Sequence, residues 1–184
     1  MSDPNIMNVY SIVYFSLIIV GLILAFVSMM LKNASSIPVT ITSYSCLAVG
    51  ILLVMSTLLY GKQGSMTWTQ LFTFFKVNLG PFLLILALIG YLLYLTIYYK
   101  NLISSGHISD SYYTFNTISL LLICLQVGIL YTAMKKPSFS ETGNIPLTHS
   151  AFLYLLGTIN FVFALTMGVI LKYFTTDGFT SLHL

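Results

Sequence analysis

The stretch Pro81-Phe82-Leu83-Leu84-Ile85-Leu86-Ala87-Leu88-Ile89-Gly90-Tyr91-Leu92-Leu93-Tyr94-Leu95-Thr96-Ile97-Tyr98-Tyr99-Lys100 decides how this chain is read. It carries no charge until its last residue, which is a lysine. At about 1.5 Å per residue, a helix over residues 81–99 is roughly 28 Å long, close to the ~30 Å hydrocarbon core of a bilayer. Pro81 lacks an N–H and suits a first helical turn, while Lys100 meets both the negative helix end and the headgroup layer. The segment predicts a transmembrane helix.

Four further apolar runs repeat the pattern. Residues 9–31 are followed by Lys32, residues 39–60 by Lys62, residues 112–134 by Lys135 and Lys136, and residues 151–171 by Lys172. The expected fold is all-α: an integral membrane helical bundle with five transmembrane helices, forming a single domain over residues 1–184. The seven residues between the first two runs are short enough to force an antiparallel hairpin. The head before residue 9 holds Asp3 but no cation, so the first run reads as a retained anchor rather than a cleaved secretory signal.

Composition demands the same solvent. With 58% hydrophobic and 6% charged residues and a mean hydropathy of +0.95, the chain has too little polar surface to disperse in water. Its net charge of +3 comes from seven lysines spread singly along the sequence, which leaves no nucleic-acid footprint. Four lysines fall on one side of the expected membrane and three on the other, so positive charge does not decide orientation. The lysines follow helix polarity instead. Cys46 and Cys124 both sit inside apolar runs, where a small, weakly polar side chain packs well.

Residues 66–79 differ from the spans. Trp68, Leu71, Phe72, Phe75 and Leu79 recur at helical spacing, with Thr69, Gln70, Thr73, Lys76 and Asn78 mainly opposite, which predicts an amphipathic helix in the interface. Phe74 and Val77 interrupt the division, as they would in a buried connector. Gly80-Pro81 is expected to break the chain's direction before the third span.

No Asp, Glu, Lys, Arg or His lies in the middle of any run. Proton relays, cation-coupled carriers and voltage sensors keep ionisable groups at that depth, so those classes are disfavoured. A pore lined by hydroxyls and amides remains compatible. Span four is the most polar, with Asn116, Thr117, Ser119, Cys124 and Gln126, and it is expected at the bundle centre. Gln126 and Asn160 fall within about 3 Å of the same depth in antiparallel helices, which predicts an interhelical polar clamp.

Small residues mark close helix contacts: Gly157, Ala164 and Gly168 beside Asn160 in span five, Gly21, Ala25 and Ser28 in span one, and Cys46 and Gly50 in span two. The interfacial anchors are expected to be Lys32, Lys62, Trp68, Lys100, Lys135, Lys136 and Lys172. Tyr98, Tyr99, Tyr112, Tyr113, Tyr131 and Tyr173 are expected to form an aromatic belt with them.

Catalytic chemistry leaves little trace. His107, His149 and His183 each stand alone in a link or tail, and no phosphate loop, nucleophile elbow or carboxylate pair is present. No enzyme activity, cofactor or metal is expected. The Asn33-Ala34-Ser35 sequon lies against the membrane boundary and is expected to stay unmodified.

The closing stretch Asn160-Phe161-Val162-Phe163, continuing to Ile170-Leu171-Lys172-Tyr173-Phe174-Thr175-Thr176-Asp177-Gly178, resembles the endings of small multi-pass and minor capsid-associated membrane proteins of large double-stranded DNA viruses. Lysine without arginine, with abundant Ile, Tyr and Phe, suits the AT-rich genome of such a virus. The resemblance implies a structural protein of a virion's inner membrane that anchors a larger assembly in the bilayer, with the lipid bilayer and capsid proteins as partners. Two other roles fit the residues: an accessory subunit of a large membrane complex such as a respiratory assembly, or a small pore or carrier lined by the polar residues of span four.

Overall fold

The computed structural model describes residues 4–31, 34–60, 67–103, 111–136 and 144–175. These residues fold into an all-α bundle whose elements are α1 (Pro4–Met30), α2 (Ile37–Tyr60), α3 (Trp68–Phe74), α4 (Gly80–Ile103), α5 (Ser111–Met134) and α6 (Leu147–Thr175). A 3-10 turn, Ala34–Ser36, precedes α2, and a π-helical turn, Phe75–Leu79, joins α3 to α4. Among the described residues, five helical stretches are long and apolar enough to cross a membrane: Tyr10–Met30, Ile37–Leu59, Trp68–Leu102, Tyr112–Met134 and Leu147–Lys172.

The helices pack in the cyclic order α1, α2, α4, α6, α5, with α5 returning to α1. Ile18, Leu47, Ile51, Val54, Leu88, Leu120 and Ile123 fill the space they enclose. The outward faces are apolar as well: Ile19, Ile23, Leu52, Leu121, Leu125, Phe152, Leu155 and Val162 are exposed. A helix that is hydrophobic all round requires lipid on its outer side.

The α1–α2 hairpin is the tightest contact and follows from small residues. A Cβ placed on Gly21 would stand 2.8 Å from Leu47 N and 3.0 Å from Ser43 O, and one on Gly50 would stand 3.1 Å from Tyr14 O. The backbones approach this closely only because neither position has a side chain. Ala25 and Ser28 continue the α1 seam and are buried. On α2 the seam is Thr40, Ser43, Leu47, Gly50 and Val54, with Cys46 at its partly exposed edge. The alternating steps of three and four residues keep this row on one face, and Cys46 is off it.

At Gly80-Pro81 the expected break does not occur. Gly80 is helical (φ −56°, ψ −47°), and the helix runs on from α3 through the π turn into α4. Thr67 starts this run with a capping box: Gln70 N donates to Thr67 Oγ1, and Thr67 N donates back to Gln70 Oε1. Beside the π turn α6 begins at Leu147, four residues before the apolar run, and Ser150 N donates to Pro146 O in its first turn.

Candidate functional site

Among the described residues, buried polar side chains gather in three clusters and in a pair of amides on the α5–α6 interface, each joining different helices. The first surrounds Lys100 in the last turn of α4. Its position is the expected one, but its side chain is only 2% exposed and turns into the bundle instead of toward headgroups. Nζ donates to Ser28 O at 2.8 Å, Ser28 Oγ at 2.9 Å and Ser36 Oγ at 2.6 Å. Three ammonium protons therefore meet three acceptors, and one of these is a carbonyl in the last turn of α1, at the negative end of that helix. Ser36 Oγ also donates to Leu31 O at 2.9 Å, Thr40 Oγ1 donates to Ser36 O at 3.3 Å, and Ser28 Oγ pairs with Thr40 Oγ1. Lys100 thus ties α4 to both ends of the α1–α2 link.

The second cluster lies one turn deeper, around Thr96. Its hydroxyl donates to Leu92 O at 2.7 Å and stands 2.8 Å from Tyr112 Oη. Tyr44 Oη donates to Asn116 Oδ1 at 3.3 Å and lies 3.5 Å from Thr96 Oγ1. The rings of Tyr99 and Tyr112 stack at 4.0 Å, with Tyr113 edge-on to Tyr99 at 5.2 Å. Tyr99 and Tyr112 were expected in an outer aromatic belt; both are buried, because their rings face α5 and α4 respectively. Tyr131 is exposed, as a belt residue would be.

Gln126 and Asn160 are both fully buried on the α5–α6 interface, but the expected bond between their side chains is absent. Asn160 Nδ2 donates to Ser119 O at 3.0 Å, and Gln126 Nε2 reaches Leu153 O at 3.4 Å. Each amide bridges to the other helix's backbone. Gly157 leaves room for this: a Cβ there would stand 3.0 Å from Gln126 Nε2 and 2.7 Å from Leu84 Cδ2. Ala164 is buried on the same stripe, and Gly168 accommodates Tyr91 and Leu95 of α4.

The third cluster closes the opposite end. A regular α-helix would have Gly80 N bond to Lys76 O, and would require a donor at residue 81 for Val77 O. Gly80 N instead reaches Phe75 O, and Pro81 has no N–H. Two hydroxyls on adjacent turns of α6 take the two released carbonyls: Tyr154 Oη donates to Lys76 O and Ser150 Oγ to Val77 O, each at 2.7 Å. Gly80 makes this possible, since any Cβ there would overlap the Tyr154 hydroxyl. Buried Asn78 completes the junction, accepting from Ile145 N at 2.8 Å and donating to Asn144 Oδ1 at 3.2 Å.

Lys135 and Lys136 are exposed at the end of α5, with Lys135 Nζ 5.5 Å from the Tyr131 ring centroid, and Lys172 is exposed on α6. Trp68 is 86% exposed at the start of α3. Lys32, Lys62, His107, His183, the sequon residue Asn33 and the Tyr173 side chain lie outside what is described. His149 contacts only its neighbour's hydroxyl, Thr148 Oγ1, among the hydrogen bonds assigned to it. Among the described residues no group of three His, Cys, Asp or Glu converges.

These features define a multi-pass α-helical integral membrane protein with a hydrogen-bonded interior. No protein-family model, curated sequence or solved structure matches the chain.

Proposed function

We propose that this protein is a non-enzymatic structural anchor, a five-span scaffold that fixes a larger assembly in the bilayer. The assembly implied by its C-terminal resemblance is a virion, with the chain in the internal membrane and capsid proteins as its partners. The observation that carries the reading is what the buried polar residues do. Lys100, Asn160, Asn78, Ser150 and Tyr154 each bond to a different helix or to the chain leading into one. Asn116, Gln126 and Asn160, amides that a pore would use for its lining, are engaged with neighbouring helices, and the bundle axis is occupied by aliphatic side chains. A rigid plug of this kind suits anchoring better than transport. The exposed turn-and-helix segment carrying Trp68, Leu71 and Phe72, together with the link from Lys135 to Ser150, supplies the contact surface.

Mild detergent extraction followed by gradient sedimentation tests this. The anchor reading expects the chain to travel with capsid proteins in purified particles. Sedimentation with oxidoreductase subunits would replace it with the accessory-subunit role. Solute flux through reconstituted protein that is lost in Gln126→Leu with Asn160→Leu would replace it with a pore.

A further inference from the structure

One polar group faces outward where hydrocarbon would meet it. Tyr94 of α4 is 60% exposed, and among the described residues its hydroxyl has no hydrogen-bond partner. It stands six residues, roughly 9 Å, before Lys100, whose bonds to Ser28 and Ser36 mark the polar end of the bundle. Helix side chains lean toward the N-terminus, which here carries the hydroxyl away from that end and toward the middle of the span. The Tyr98 ring, stacked 6.2 Å away and one turn nearer Lys100, occupies the way back to the headgroups, and Tyr91 stacks at 6.3 Å on the other side. Acyl chains offer this hydroxyl no acceptor, and amphipathic lipids keep their own polar groups at the surface. Its partner at this depth is a protein segment.

The same face of α4 is shaped for close approach. Leu83, Ala87, Gly90 and Tyr94 are all exposed and follow one another at steps of four, three and four residues, the 3.5-residue period of a left-handed helix pair. Gly90 weakens its helix with no return inside one copy: a Cβ there meets nothing within 4 Å, whereas one on Gly21, Gly157 or Gly168 would clash. Two copies inserted the same way share every depth, and about a twofold axis along the membrane normal the residues of such a seam meet their own counterparts. A hydroxyl both donates and accepts, so Tyr94 complements itself, and Gly90 against Gly90 lets the two backbones close. We infer that this face of α4 binds α4 of a second copy in a parallel twofold seam, with one Tyr94 hydroxyl donating to the other. The pairing goes beyond the anchor role and does not depend on it.

The test uses full-length protein in lipid vesicles. Copies carrying donor or acceptor dye at Lys136→Cys, with Cys46 and Cys124 replaced by serine, report self-association by energy transfer as the lipid-to-protein ratio is raised. The parent protein should associate. Tyr94→Phe, which keeps the ring, should weaken association about 3- to 18-fold, the worth of one interhelical hydrogen bond. Gly90→Leu, whose side chain has open space in a lone copy, should abolish it, with helix content unchanged in both variants. In the same cysteine-free background, lipid-soluble oxidation should cross-link Ala87→Cys to its counterpart and leave Leu121→Cys, also exposed but on α5, uncross-linked. Absence of energy transfer from the folded parent protein would overturn the inference. So would association that either Tyr94→Phe or Gly90→Leu leaves unchanged, or cross-linking at Leu121→Cys as efficient as at Ala87→Cys.

Discussion

The two hydroxyls that α6 lends to the π turn make a quantitative prediction. Ser150→Ala removes the donor to Val77 O and Tyr154→Phe the donor to Lys76 O, each a 2.7 Å bond between helices. Interhelical hydrogen bonds in membranes average about 0.6 kcal/mol and reach about 1.7 kcal/mol. Both carbonyls have lost their ladder partners, so each bond belongs toward the upper end, and the double variant should lose about 2–3 kcal/mol. The causes of the two vacancies differ: Val77 O lacks a partner because residue 81 is proline, and Lys76 O because Gly80 N is taken by Phe75 O. Pro81→Ala restores an N–H for Val77 O alone. In that background Ser150→Ala should become nearly neutral, while Tyr154→Phe keeps its cost. The assay is equilibrium unfolding from mixed micelles by increasing SDS fraction, monitored at Trp68. Equal penalties for Ser150→Ala with and without Pro81 would refute the reasoning.

Lys100→Met removes all three donors to Ser28 and Ser36; charge-assisted bonds are worth about 1.5–3 kcal/mol each, and the ammonium's desolvation offsets part, leaving an expected loss of about 2–3 kcal/mol in the same unfolding assay. Gly21→Ala places a methyl against the Leu47 backbone and should destabilise by more than about 1 kcal/mol, whereas Gly90→Ala, with nothing within 4 Å, should stabilise by roughly 0.5–1 kcal/mol through helix propensity. Asn160→Leu should cost more than Gln126→Leu, since the Asn160 bond is 3.0 Å and the Gln126 bond 3.4 Å; the ranking is read from paired thermal midpoints in detergent.

The spans were legible because lipid imposes a length and an apolar composition that survive in any helix order. The α1–α2 pairing could also be read, since seven residues join the two runs and Gly21, Ala25 and Ser28 stand at helical spacing in the first. What the sequence did not reveal depends on facing. Lys100 has the position of a headgroup anchor, and only the presence of Ser28, Ser36 and Thr40 at the facing end of α1 and α2 turns it inward. Asn78 read as the polar side of an interfacial helix because its partners, Asn144 and Ile145, lie 66 and 67 residues away. A signal was present nearby: a proline three residues after Asn78 guarantees a carbonyl without its ladder donor, and a hydroxyl elsewhere must fill it or water will. Tyr99 and Tyr112 were misplaced for a related reason, since a tyrosine at a span end can stack on a neighbouring helix as readily as face headgroups.

The claim on which the rest stands is that these helices cross a bilayer in alternation. Single cysteines at Asn101, Lys136 and Lys172, introduced after replacing Cys46 and Cys124 by serine, can be probed with a membrane-impermeant maleimide in sealed, oriented vesicles. Positions 101 and 172 should be labelled from one face and position 136 only from the other. Labelling of all three from a single face would contradict the account.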